Sequence, residues 1–191
     1  FFGNKTITTG EGGMVYSTNS ELIEKANYLK NQAVDADREY WHSQIGFNYR
    51  MTNMQAAIGL AQLEKSELIL DKKQALASIY KKYLEPLPIT FQGQIKGSFH
   101  SYWMVSILLE NERKKNGLRK YLKKMNIETR PIFYPSNKMP AYFCNQSFPV
   151  ADNISGRGLS LPSFPGLSPE QMKYICKSIS NFFEKNSLDT N

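Results

Sequence analysis

The sequence is poor in the residues that build cross-links and metal sites, with two cysteines and two histidines in 191 residues. Cys144 and Cys176 lie far apart, form no CxxC pair and have no histidine beside them, which excludes a disulfide scaffold and a structural zinc site. A reducing, cytoplasmic setting follows, and no metal is expected. Long apolar runs are also missing: no stretch approaches the roughly 18 unbroken apolar residues of a membrane span. The opening FFGNKTITTG lacks the basic-then-apolar layout of a signal peptide. A soluble chain is expected, with 41% hydrophobic and 21% charged residues excluding disorder. Internal repeats and low-complexity segments are absent, and only the tail NSLDTN reads as frayed.

What is present in excess is positive charge. Lys plus Arg number 24 against 17 Asp plus Glu, a net charge of +7, so an anionic partner is expected: nucleic acid, an acidic surface or a phosphorylated small molecule. Arg113, Lys114, Lys115, Arg119, Lys120, Lys123 and Lys124 crowd one stretch in which Leu118, Tyr121, Leu122 and Met125 follow helical spacing. This predicts an amphipathic helix with a wet basic face. No aromatic or glycine-rich strand pattern for base stacking lies beside it, which disfavours a polyanion site.

The order of elements predicts an α/β fold. Met14 to Ser17 reads as a short strand, followed by a helix on Leu22, Ile23, Ala26 and Leu29 that starts near Thr18-Asn19-Ser20. Residues 34–51 have no period and read as a long loop, a feature that is usually functional. Thr52 and Gln55 form a capping box for a helix on Met54, Ala57, Ile58 and Ala61, and a second run from Leu68 to Tyr83 must stop before Pro86. Division into residues 1–85 and 86–191 is expected there. YWMVSILL, Tyr102 to Leu109, predicts a covered strand, and Asn126 to Thr129 another after the basic helix. A last helix runs from Ser168 to about Lys185, with Gln171 completing a capping box, Pro169 at its first turn and Met172, Ile175, Ile179 and Phe183 as its core stripe.

Three stretches carry more special residues than packing requires. Gly3 to Gly13, GNKTITTGEGG, combines glycines that permit tight turns with hydroxyls and amides that hold oxyanions. It is not a P-loop, because Lys5 precedes the glycines. Gly46 to Met51, GFNYRM, sets Asn48 and Arg50 at the mouth of a helix N-terminus, which favours anions, although a plain Asn turn and a surface Arg fit as well. In Arg130 to Pro135, RPIFYP, two prolines stiffen a segment presenting Arg130 and Tyr134, the arginine suited to a phosphate or to a local carboxylate.

Taken together, FFGNKTITTGEGGMVYS, GFNYRMTNMQAAIGLAQLE, ETRPIFYP and FPVADNISGRGLSLPSFPGLSPEQ resemble the DegT/DnrJ/StrS family of nucleotide-sugar aminotransferases nearly end to end. The resemblance implies the aspartate-aminotransferase architecture (fold type I) and pyridoxal phosphate as cofactor, with residues 1–85 as the end of the large cofactor-binding domain and 86–191 as a smaller α/β subdomain. It implies that Lys5 forms the covalent link to the cofactor, in place of the histidine of the family's dehydratase branch. Asn48 matches the position that reaches across a homodimer interface to the cofactor phosphate, with Arg50 beside it for a substrate carboxylate or phosphate, while Arg130 and Tyr134 match the loop facing the nucleotide sugar. Glutamate is the implied amino donor. YWHSQIGFNYRMTN and RPIFYP followed by MPAY are most similar to the branch that aminates C4 of GDP-linked 4-keto-6-deoxymannose for bacterial surface polysaccharide.

Two departures accompany the resemblance. Ser136-Asn137-Lys138 stands where members often have a histidine, removing one expected sugar-nucleotide contact. The larger N-terminal part of the family, with its pyridine-pairing Asp, ring-stacking aromatic and a serine just before the lysine segment, is expected to lie outside this chain, which by itself is expected to be inactive. The siblings weighed against the GDP-sugar branch are aminotransferases on UDP- or dTDP-linked keto-sugars and 3-aminotransferases. From a different class, a basic nucleic-acid-binding module built on residues 113–124 predicts strongly salt-dependent binding.

Overall fold

A computed structural model describes residues 1–188, with side-chain environments through residue 185. The chain divides into two compact units, Phe1–Leu68 and Ile69–Asn191. The prolines pointed instead to a division at 85/86. The difference lies in α3 (Ser66–Leu84), which ends at the prolines but buries Lys73, Leu76, Ala77, Tyr80 and Leu84 within the second unit.

In the first unit, α1 (Ser20–Lys30) begins where the side chain of Asn19 accepts the amide of Leu22, and α2 (Asn53–Leu63) carries the full Thr52/Gln55 capping box. Neither helix buries a residue. Met14 to Ser17 is not a strand: the segment finds no ladder partner among the described residues, and Tyr16 is 85% exposed. Its apolar, β-prone residues satisfy the strand pattern locally, but a strand requires a neighbour.

The second unit is a four-stranded sheet in the order β1-β2-β4-β3, every pairing antiparallel. The strands are β1 (Thr90–Phe91), β2 (Val105–Leu108), β3 (Arg130–Pro131) and β4 (Gly158–Leu161). Helices α4 (Glu112–Lys124), α5 (Pro149–Arg157) and α6 (Pro169–Leu188) complete it. Ile107, Leu118, Leu122, Leu159 and Ile179 lie fully buried at the centre of the core, joined by Tyr80 and Leu84 of α3. β2 is shorter than Tyr102 to Leu109 because Tyr102 takes a left-handed φ of 45°. The strand expected at Asn126 to Thr129 is displaced to Arg130–Pro131: Asn126 has φ 56°, closing the turn after α4. β1, β4 and α5 were not foreseen.

The basic helix forms with Leu118 and Leu122 buried, and Arg113, Arg119, Lys120, Lys123 and Lys124 exposed. Lys115 departs from the wet face, buried 3.5 Å from Glu112. In α6, Phe182 takes the buried position, with Phe183 partly buried against the core. The Ser168/Gln171 box closes reciprocally at 2.9 and 3.2 Å. The helix continues past Lys185 to Leu188, so the first half of the expected frayed tail is helical, and residues 189–191 lie outside the described residues. Among the described residues, no helix is long and apolar enough to cross a membrane.

Candidate active site

Lys5 sits in a closed loop. Its amide donates to Phe2 O at 3.0 Å, the Thr9 amide and the Thr8 hydroxyl both reach Phe1 O at 3.0 Å, and Phe2 bridges Gly10. Thr9, buried, donates its hydroxyl to Glu11 O. Lys5 itself is exposed.

Glycines allow this loop to lie hard against its neighbours. A Cβ on Gly59 of α2 would stand 2.8 Å from Thr9 Cγ2, and one on Gly12 would stand 2.8 Å from Thr9 Oγ1 and 3.0 Å from Met51 Cε. Real Cβ atoms do not approach that closely, so both positions require glycine for the loop to dock. Met51 directly follows Arg50. The lysine loop and the Asn48–Arg50 loop therefore meet at the start of α2, which the sequence alone did not reveal.

The second loop is itself pinned. Gly46 passes so close to Gln32 and Ala33 that a Cβ would lie 2.2 Å from Gln32 C and 2.3 Å from Ala33 N. Gln32 and Ala33 hold left-handed φ values of 65° and 51° to accommodate the crossing. Ladder-like bonds follow: Phe47 N to Leu29 O at 2.7 Å, Gln32 N to Phe47 O at 3.0 Å, Tyr49 N to Lys30 O at 3.1 Å, with Asn31 bridging Asn48. Asp35 gathers the far side, accepting from Tyr28 Oη at 2.8 Å and from the Ser43 hydroxyl. These two donors, Ser43 foremost, hold its carboxyl below the ordinary value, and the bond to Asp35 in turn pushes the Tyr28 hydroxyl up. Asn48 and Arg50 are both exposed, Arg50 lining an open depression of about 280 Å³ with Asn31, Gln32 and Val34.

Arg130 and Tyr134 belong to the second unit, so each pair of sequence-predicted residues is supported separately. Arg130 opens β3 opposite Ser160, and its Nε lies 3.9 Å from Glu128, both side chains exposed. Such a loose surface pair contributes little, leaving the guanidinium available to an anion. Tyr134 is exposed. Ser136–Lys138 forms a single 3-10 turn, with Lys138 Nζ 2.7 Å from Asp152 Oδ1. Sequence reasoning overlooked Thr9, Gly59 and Asp35; their roles depend on contacts with distant segments or on loop closure, although the glycine inside an otherwise helical run was a signal of close approach.

A family model described as the DegT/DnrJ/EryC1/StrS aminotransferase family matches residues 1–180. The chain is 49% identical over 184 residues to a GDP-perosamine synthase of Escherichia coli O157:H7, covering 96% of this chain and 50% of that protein. It is 47% identical over 188 residues to a GDP-perosamine synthase of Vibrio cholerae, covering 96% and 51%. Among solved structures, Helicobacter pylori PseC, an aminotransferase involved in the biosynthesis of pseudoaminic acid, matches with a TM-score of 0.85 at 26% identity, over 94% of this chain and 51% of that one. The chain thus spans about half the length of the relatives it matches. With a family match running from Phe1 to the middle of α6 and a fold shared with a solved aminotransferase, the chain belongs to the DegT/DnrJ/EryC1/StrS aminotransferase family.

Proposed function

We propose that the intact protein carrying this chain uses pyridoxal phosphate to move the amino group of glutamate to C4 of GDP-4-keto-6-deoxymannose, giving GDP-perosamine for a bacterial surface polysaccharide such as a lipopolysaccharide O-antigen. The identities of 49% and 47% to GDP-perosamine synthases support the substrate class. The observation that carries the site is the exposed amine of Lys5 on a loop whose close packing depends on Gly12 and Gly59.

The residues present fit the cofactor. An exposed primary amine suits its aldehyde, and the exposed amide and guanidinium of Asn48 and Arg50, supplied from the other copy of the chain, suit its phosphate and a substrate anion. When bound, pyridoxal phosphate supplies that aldehyde and a conjugated ring that draws electrons from the reacting carbon. Lys5 Nζ first holds the cofactor, then takes the proton from the amino-bearing carbon and returns it at the neighbouring centre, acting as base and acid in turn. Asn48 binds the phosphate in the partner copy's site. Arg50 orients the carboxylate of glutamate or a phosphate of the sugar nucleotide, and Arg130 and Tyr134 bind the nucleotide sugar. Across both halves of the exchange, glutamate becomes 2-oxoglutarate and the ketone becomes an amine.

A homodimer is part of the proposal. It is supported by the exposed apolar residues of α2, Met54, Ile58, Leu60 and Leu63, which the first unit does not cover. The proposed setting is the cytoplasm, in keeping with two free thiols. A nucleic-acid role for the basic helix is not favoured by the family match, which includes that helix.

The test is product identification. Intact protein is incubated with glutamate and, separately, GDP-, UDP- and dTDP-linked 4-keto-6-deoxy sugars, and the products are identified by mass spectrometry and NMR. A 4-amino product from the GDP sugar is expected. Amination confined to the UDP or dTDP sugars, or at C3, would contradict the substrate assignment.

A further inference from the structure

We propose that Trp103 and Phe133 form a stacking subsite for the purine base of the nucleotide sugar, an inference that rests on the nucleotide-sugar reading above. The two rings are stacked with centroids 6.3 Å apart and planes 20° apart, within the range of favourable offset aromatic pairs. Phe133 is nevertheless 74% exposed. A phenylalanine serving the core of this unit would be buried; this one leaves a π surface that the described residues do not cover.

The segment that carries Trp103 is held at unusual cost. Tyr102, buried, adopts φ 45°, a left-handed conformation unfavourable for a bulky residue that persists only where the surroundings over-determine it. Three side chains of α3 do so. Gln74 Nε2 donates to His100 O, Lys73 Nζ donates to Trp103 O at 2.9 Å and to Ser163 O, and Lys81 Nζ donates to Tyr102 Oη at 2.9 Å. His100 stacks on Tyr102 at 4.2 Å and accepts the Tyr102 amide on Nδ1 at 2.9 Å. Lys73 is buried, and desolvation draws its amine below the ordinary value. A buried ammonium given over to two main-chain carbonyls holds the backbone on either side of the indole in one conformation.

The chemistry of the neighbouring residues selects the occupant. Phe133 lies on the same short segment as Arg130, whose exposed guanidinium makes a loose 3.9 Å pair with Glu128. A flat aromatic platform beside an available arginine matches a base joined to a diphosphate, the cation meeting the phosphates while the rings meet the base. Stacking tolerates any base but rewards area, so a purine gains more than a pyrimidine.

The experiment uses the intact holoenzyme. Trp41 and Trp103 are the tryptophans of this chain, so the part of the holoenzyme's fluorescence that is lost in Trp103→Phe reports the subsite. Saturable quenching by GDP, stronger than by UDP, is expected. Phe133→Ala and Trp103→Leu should each raise KM for the GDP-sugar about tenfold or more, with kcat within about twofold and the glutamate half-reaction, followed by cofactor absorbance, unchanged. Phe133→Trp should restore KM. Absence of quenching, or an unchanged KM in Phe133→Ala, overturns the subsite while leaving the transaminase reading intact. GDP quenching in a protein that makes no amino sugar sinks the transaminase reading and leaves the subsite standing.

Discussion

The two compact units achieve order by different means. The second has a continuous apolar core, in which β2, β4, α3, α4 and α6 bury Ile107, Leu159, Tyr80, Leu118 and Ile179. The first has almost none: its buried residues are Thr9 and Ala33, and α1 and α2 bury no side chain. Its loops are held by main-chain hydrogen bonds, by Asp35 and by glycines that allow backbone to touch backbone or side chain. The lysine, amide and guanidinium proposed to meet the cofactor lie on these glycine-set loops. Among the described residues, the proposed cofactor-binding side chains and the continuous apolar core thus fall in different units.

That separation can be broken from either side. Lys5→Ala in the intact protein is expected to lower amino-sugar formation at least about a thousandfold, while thermal unfolding of the cofactor-free protein shifts by no more than about 0.5 kcal/mol. Steady-state kinetics and calorimetry check the pair. Ile107→Ala, from the fully buried centre of β2, should show the reverse: a loss of about 2–5 kcal/mol in chemical denaturation, with little change in turnover per folded molecule. Gly46→Ala would force Gln32 and Ala33 away from the crossing and shift Asn48 and Arg50, costing roughly a hundredfold in turnover with the unfolding of the second unit unchanged. Thr52→Ala removes the α2 cap and should cost about 1 kcal/mol locally, visible as faster amide exchange in the first turn of α2.

The smallest effect is a pH dependence. The folded carboxyl of Asp35 is held below its ordinary 3.8 by the Ser43 and Tyr28 donors. Its stabilisation is therefore complete above that value and lost as pH falls through the lower folded value. Asp35→Asn should weaken amide protection in residues 31–48 near neutral pH, and the difference from the parent should shrink in acid. Because Asp35 is only partly buried, the change is small.

Much of the helical framework was legible in the sequence because its signals are local. Thr52 with Gln55 and Ser168 with Gln171 each specify a helix start within four residues, and Pro86 specifies a stop. The sheet was less legible. β4, GLSL, is buried at every position and so shows no alternation, and its Gly158 is required because a Cβ would lie 2.3 Å from Ile132 Cγ1, a contact across more than twenty residues. Met14 to Ser17 failed for the opposite reason, a local strand pattern with no partner. Site residues divide likewise. Composition gave Lys5 no distinction from a surface lysine; the family resemblance singled it out, and only the packing of Thr9 on Gly59 and of Gly12 on Met51 brings its loop to the start of α2.

The central claim is that one amine, Lys5 Nζ, carries the cofactor. Reconstituting the intact protein with pyridoxal phosphate, reducing it with borohydride and sequencing the peptides by mass spectrometry tests this directly. A phosphopyridoxyl mass on Lys5 is predicted; the same mass on any other lysine, with Lys5 unmodified, would contradict it.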